Sequence, residues 1–128
     1  MKRSMKDEFE ELYNFIRLDD ELSPWARETT FTERIEELQK EIQEMKVELE
    51  KSDYEEFRKE VGDVLWDLLC LIAKAEHQKL LSLDKLLPEI HEKFKRRKLF
   101  LQERRKVTKE EEIRIWQEVK VREKNERN

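Results

Sequence analysis

FTERIEELQKEIQEMKVELEKSDYEEFRKEVGDVLWDLLCLIAKAEHQK, residues 31–79, is the stretch whose reading decides the fold. Ile35, Leu38, Ile42, Met45 and Leu49 recur every three or four residues, which places them on one stripe of a helix over about 31–50. Tyr54, Phe57, Val61, Leu65, Leu68 and Ile72 form the stripe of a second helix over about 53–79. Thr30 stands three residues before Glu33, and Ser52 three before Glu55. Both pairs are capping-box signatures, in which a hydroxyl and a carboxylate each satisfy an orphan backbone N–H of the first turn.

The flanking sequence extends the pattern. Phe9, Leu12, Tyr13 and Ile16 predict a helix over about 7–17, followed by a loop carrying Asp19, Asp20, Ser23 and Pro24. Leu86, Leu87, Ile90, Phe94 and Leu101 predict a helix starting near Asp84, with Pro88 near its first turn. Thr108, three residues before Glu111, starts a last helix carrying Ile113, Trp116 and Val119, which frays over about 123–128. The chain has one Gly and two Pro in 128 residues, too few breakers for a strand-and-turn fold. The expectation is a single all-α domain over 1–128, a bundle of four main helices plus a C-terminal helix.

Charged residues make up 47% of the chain and hydrophobic ones 37%, which suits helices with solvated outer faces. Helical spacing of the apolar residues argues against disorder. Formal net charge is −4, whereas a protein that binds nucleic acid through its overall field is usually basic. The N-terminal MKRSMKDEFE lacks the apolar run of a signal peptide. The apolar stretch from Val64 to Ala73 is broken by Asp67 and is too short to span a membrane. A single cysteine, Cys70, cannot form an internal disulfide. The sequence therefore predicts a cytoplasmic protein with neither nucleic acid nor membrane as partner. Apolar residues outside the main stripes, such as Leu69 and Leu83, exceed what one thin helical layer can bury, so a homodimer or a pair of dimers is expected.

Acidic residues are patterned as regularly as apolar ones. Glu37, Glu41, Glu44 and Glu48 are spaced by four, three and four, and so are Glu56, Glu60, Asp63 and Asp67. At about 100° per residue each set spans an arc of roughly 60°. If the two helices pack antiparallel, both acidic stripes can meet at one rim of the core. Like charges so gathered repel, and a hard divalent cation such as Mg²⁺ reverses that cost. Acidic residues at this spacing are equally common on solvated faces, and Lys40 and Lys51 offer pairing partners, so spacing leaves both readings open. Gly62, between Glu60 and Asp63, is costly inside a helix and points to close approach by a backbone or ligand.

Lys93 and Arg97 share a helix face one turn apart, a point charge and a planar fork that suit phosphate. Their helix is basic throughout, so a solvated face is the competing reading. Trp116 lies on an amphipathic helix, as core or as a platform for a base. Trp25 anchors its loop or borders a ligand, and Trp66 reads as packing. His77 and His91 have no partners at zinc spacing. No GxxxxGK loop is present, so any triphosphate chemistry is not that of a P-loop.

KEIQE at 40–44 followed by EVGD at 60–63 resembles the EExxE and ExxD motifs of the MazG family of nucleoside triphosphate pyrophosphohydrolases. SPWARE at 23–28 is similar to that family's CPWDRE, HEKFKRR at 91–97 to NEKFxRR, and WQEVKVREK at 116–124 to its Trp-containing C-terminal helix. Each motif is weak alone; in this order they cover most of the chain. The resemblance implies an all-α, dimerising fold that cleaves a triphosphate to monophosphate and pyrophosphate with Mg²⁺ or Mn²⁺. It implies Glu41, Glu44, Glu60 and Asp63 as catalytic metal ligands. It further implies Lys93 and Arg97 as phosphate-binding residues and Trp116 as a nucleotide contact, with Trp25 and Glu37 as further substrate-side candidates. Glu37, Glu56 and Asp67 are also placed to support the ligands or a second ion. Lys40 replaces the first Glu of EExxE, Ser23 the Cys of CPW and His91 the usual Asn, and Lys98 stands where many members have His. These departures bear on the substrate rather than the fold. Two other functions fit the same helices: a non-catalytic dimerisation module, and a nucleotide sensor without turnover.

Overall fold

The computed structural model describes residues 2–127, and every secondary-structure element among them is a helix. They are α1 (Met5–Leu22), α2 (Pro24–Glu28), α3 (Phe31–Glu50), α4 (Tyr54–His77), α5 (Leu83–Arg97), α6 (Leu99–Gln102) and α7 (Lys109–Arg127). The all-α expectation holds, with five long helices and two short ones. Among the described residues no helix is long and apolar enough to cross a membrane. The chain divides into two compact units, one ending at Ser82 and the other beginning at Leu83.

In the first unit α3 and α4 form a helical hairpin, and α1 packs on α4. The Thr30 capping box is complete: its hydroxyl accepts from the Glu33 N–H at 3.1 Å, and the Glu33 carboxylate accepts from the Thr30 N–H at 3.0 Å. The box expected at Ser52 and Glu55 is displaced by one residue. Asp53 is the cap, accepting from the Glu56 N–H at 3.2 Å, while Ser52 adopts a left-handed φ of 58°. That conformation ends α3 by letting the Asp53 N–H reach back to the Glu48 carbonyl at 3.0 Å. The loop expected from Asp19 is also absent. α1 continues to Leu22, and Ser23 caps the short α2 with Pro24 in its first turn.

Ile16, Tyr13, Ala26, Leu69, Cys70 and Ala73 form the core of this unit. The stripes read from the sequence are therefore only partly its core. Ile35, Ile42 and Leu49 on α3 and Val61, Leu65 and Leu68 on α4 each remain 42–48% exposed. α4 is apolar on two faces, and α1 covers only the face of Leu69, Cys70 and Ala73.

In the second unit α5 packs on α6 and α7. The helix expected to run on to Leu101 breaks at Lys98, and α6 turns Phe100 into the core. The Thr108 hydroxyl accepts from the Glu111 N–H at 3.2 Å and starts α7, in which Val119 is buried. α7 is helical as far as Arg127, through most of the stretch expected to fray; Asn128 lies outside the described residues.

Of the two readings of Gly62, approach by a neighbouring backbone is not what this chain uses it for. A Cβ at this position would meet nothing within 4 Å, so among the described residues no neighbouring backbone approaches it. Gly62→Ala is expected to stabilise the isolated chain by about 1 kcal/mol through helix propensity. Chemical denaturation measures this, and destabilisation would mean that a ligand or second chain occupies the space.

Candidate functional site

The hairpin brings the acidic stripes together. Oxygens of Glu41 on α3 and of Glu60 and Asp63 on α4 all lie within 4.8 Å of one another. Glu44, the fourth expected ligand, is half-buried one turn along α3 and acts on Glu41 by its charge, outside this close trio. The Glu41 carboxyl is pushed up to about 8, chiefly by its hydrogen bond with Glu60, then by burial, then by the charges of Glu44, Glu60 and Asp67. The proton that Glu41 so retains is donated in its hydrogen bond to Glu60. Glu60 Oε2 is buried and has no hydrogen-bond partner. An orphaned carboxylate oxygen among hard oxygen donors fits a divalent cation of the Mg²⁺ type.

This proton predicts a pH dependence. The folded Glu41 value lies above the ordinary 4.5, so folding favours the protonated form. Its contribution to stability is complete below 4.5 and is lost as pH rises through about 8. Melting curves of metal-free protein between about pH 5 and about pH 9 should therefore fall more steeply for the wild type than for Glu41→Gln. Parallel curves would remove the retained proton.

A second acidic pair lies one turn towards the N-terminus of α3. Burial, then the charge of Glu37, raises the Asp67 carboxyl, with Asp63 adding and Arg34 opposing. Arg34 is 4% exposed, its Nε has no partner, and its guanidinium lies 4.8 Å from the centre of the Trp25 ring. Trp25 itself is 61% exposed, so one indole face is held by Arg34 while the residue stays accessible. Sequence reading missed Arg34. The signal was available, because positions 34, 37, 41 and 44 continue the acidic stripe backwards with a cation at its head. Glu56 stands apart, exposed and 3.0 Å from Lys59. Among the described residues neither Lys40 nor Lys51 pairs with the stripe.

The second unit carries the basic residues. Lys93, Arg96, Arg97, Glu123, Glu126 and Arg127 line an open groove of about 570 Å³ between α5 and α7. Arg97 is not a free cation. Its Nε and Nη2 donate to the two oxygens of Glu123 at 3.4 and 3.1 Å, and its guanidinium lies 4.9 Å from the Trp116 ring centre. The Arg97 bonds hold the Glu123 carboxyl below its usual range. Trp116 is half-buried against Phe94, with centroids 5.6 Å apart, so packing and cation stacking both claim it. Lys93 remains exposed at the groove. Glu123 also escaped sequence reading; at seven residues from Trp116 it shares the face of α7 that meets Arg97.

The first unit thus carries a carboxylate trio on a helical hairpin, and the second a basic groove. Residues 29–100, more than half of the chain, match the MazG nucleotide pyrophosphohydrolase domain, and the chain belongs to that family. The match contains Glu41, Glu44, Glu60, Asp63, Lys93 and Arg97 and leaves Trp25 and Trp116 outside. The chain is also similar to the crystal structure of a mazG-related protein from Thermotoga maritima, with 28% identity and a TM-score of 0.82, over 88% of this chain and 98% of that one. No curated protein matches the sequence.

Proposed function

We propose that this chain is a Mg²⁺-dependent nucleoside triphosphate pyrophosphohydrolase, cleaving the bond between the α and β phosphates to release a monophosphate and pyrophosphate. The observation that carries the reading is the buried, unpartnered Glu60 Oε2 within 4.8 Å of oxygens of Glu41 and Asp63. Side chains so arranged are costly without a cation. Family membership supplies the nucleotide substrate class.

Glu41, Glu44, Glu60 and Asp63 would hold Mg²⁺, or Mn²⁺ in its place. A bound ion of this kind neutralises phosphate charge and lowers the pKa of water. As a ligand Glu41 would have to give up the proton it otherwise retains, so its carboxyl would couple metal affinity to pH. Glu37 and Asp67 lie one turn from the trio and serve as hydrogen-bond acceptors for the substrate. Arg34 fixes Trp25, whose exposed indole offers a flat face to a base. Within the second unit, Lys93 and Arg97 offer charges for phosphate oxygens, and Trp116 offers an aromatic face. In this reading the whole chain acts as one domain. It works in a reducing cytoplasm, where Cys70, pushed up to about 11 mainly by burial, stays an unreactive thiol. The test is a panel of NTPs and dNTPs with Mg²⁺, following pyrophosphate. Release of orthophosphate alone, or no release, would contradict the assignment.

The exposed apolar faces of α3 and α4 support assembly as a homodimer or a dimer of dimers, since a second copy would cover them. Light scattering should give twice or four times the 15.9 kDa chain mass. A concentration-independent monomer would overturn this part.

A further inference from the structure

A second cavity lies within the first unit, among the last turns of α1 and α4 and the short α2. It has a volume of about 250 Å³ and is lined by Asp20, Arg27, Lys74, His77 and Gln78. Lys74 is 7% exposed, and its Nζ lies 5.4 Å from the centre of the Phe31 ring. Among the described residues it makes no hydrogen bond or ion pair, and neither does the exposed Arg27. The acids around them are engaged. Asp20 Oδ2 lies 3.0 Å from His77 Nδ1, and Glu76 accepts from the Tyr13 hydroxyl at 2.5 Å and from Arg17 at 3.3 Å. The cavity thus has two uncompensated cations and a histidine whose ring is oriented by a carboxylate.

Lys74 is largely buried along its stem with no acid paired to it, and the Phe31 face does not neutralise its charge. We propose that this cavity binds a phosphate-type oxyanion, inorganic phosphate or pyrophosphate, through Lys74, Arg27 and His77. Lys74 supplies a compact charge at the cavity wall, and Arg27 a planar fork that spans two oxygens of one phosphate. His77 keeps Nδ1 on Asp20, which leaves Nε2 to meet a phosphate hydroxyl or oxygen. Such a ligand replaces the missing counter-charge. The site is separate from the acidic trio, because Lys74 lies eleven residues beyond Asp63 on α4, about 16 Å along the helix. It needs no divalent ion and does not depend on the pyrophosphohydrolase reading.

Equilibrium dialysis of radiolabelled phosphate and pyrophosphate against the full chain, with a chelator present, tests the site. Saturable binding of one anion per chain is expected. Arg27→Ala, an exposed position whose loss spares the core, should weaken it roughly tenfold or more, as expected when a charge-assisted contact is lost. Arg97→Ala in the basic groove should leave this binding in place. Tighter binding of pyrophosphate than phosphate would mark the former as the ligand, and the reverse order the latter. Lys74→Met should abolish binding where its circular dichroism stays native; if it unfolds, Arg27→Ala decides. No saturable binding overturns the proposal. So does binding that survives Arg27→Ala but is lost in Arg97→Ala, which would place the anion between α5 and α7.

Discussion

Glu60→Gln is expected to abolish the rise in melting temperature that Mg²⁺ gives the wild type, and to lower pyrophosphohydrolase activity by more than about 100-fold. The bound is conservative, since groups that merely support a metal ligand already cost about 10–100-fold. In the metal-free protein the same substitution should stabilise rather than destabilise. Glu60 stands within the trio with Glu41 and Asp63, and one of its oxygens is buried without a partner. An amide removes the Glu60 charge and the carboxylate that accepts from Glu41, so the largest cause of the raised Glu41 carboxyl is lost, while burial and the Glu44 charge remain. Mg²⁺ acts in the opposite direction on the wild type, stabilising by mass action the state that binds it. Asp63→Asn should behave alike. Glu56→Gln, at an exposed carboxylate paired with Lys59, should retain most of the Mg²⁺ response. Melting curves with and without Mg²⁺ separate the variants, and an undiminished shift in Glu60→Gln would sink the metal centre.

Much of the first unit is legible in the sequence because helical periodicity is a local property. The bounds of α3 follow from its stripe and from Thr30 and Glu33, whose reciprocal bonds need no distant partner. The acidic trio follows too, since spacings of four and three fix the face and a short turn between α3 and α4 fixes the pairing. Helix ends were harder to read. Ser52, Lys79 and Arg104 all adopt left-handed φ values of 52–61°, a conformation usually signalled by glycine, and the one glycine of the chain lies within α4 instead. Burial was least legible. A stripe such as Val61, Leu65 and Leu68 is apolar whether it meets its own chain or something else, and only the packing reveals that α1 takes the other face of α4. The pairing of Arg97 with Glu123 is tertiary, across 26 residues, and no local pattern announces it.

That pairing changes what Arg97→Ala should do. A solvent-facing arginine would cost little stability, but the Arg97 side chain is 11% exposed, forked onto Glu123 and stacked on Trp116. Truncation leaves Glu123 with Arg96, at 3.6 Å, as its remaining cation and uncovers one indole face. Arg97→Ala should therefore lower the melting temperature as well as catalytic efficiency. The phosphate contact is charge-assisted, worth about 1.5–3 kcal/mol, so kcat/KM should fall roughly 10- to 150-fold where the contact persists in the transition state. Lys93→Ala should give a loss of the same order with no change in melting, because Lys93 is exposed at the groove. Glu123→Gln separates the two roles of Arg97. It weakens the tie between α5 and α7 while leaving the guanidinium for phosphate, so stability should drop and kcat/KM stay near the wild-type value. Arg104→Ala, at an exposed position beyond α6, should change neither. If Lys93→Ala and Arg97→Ala both leave kcat/KM intact, the basic residues only join and solvate the helices of the second unit, and the triphosphate must be held by other groups.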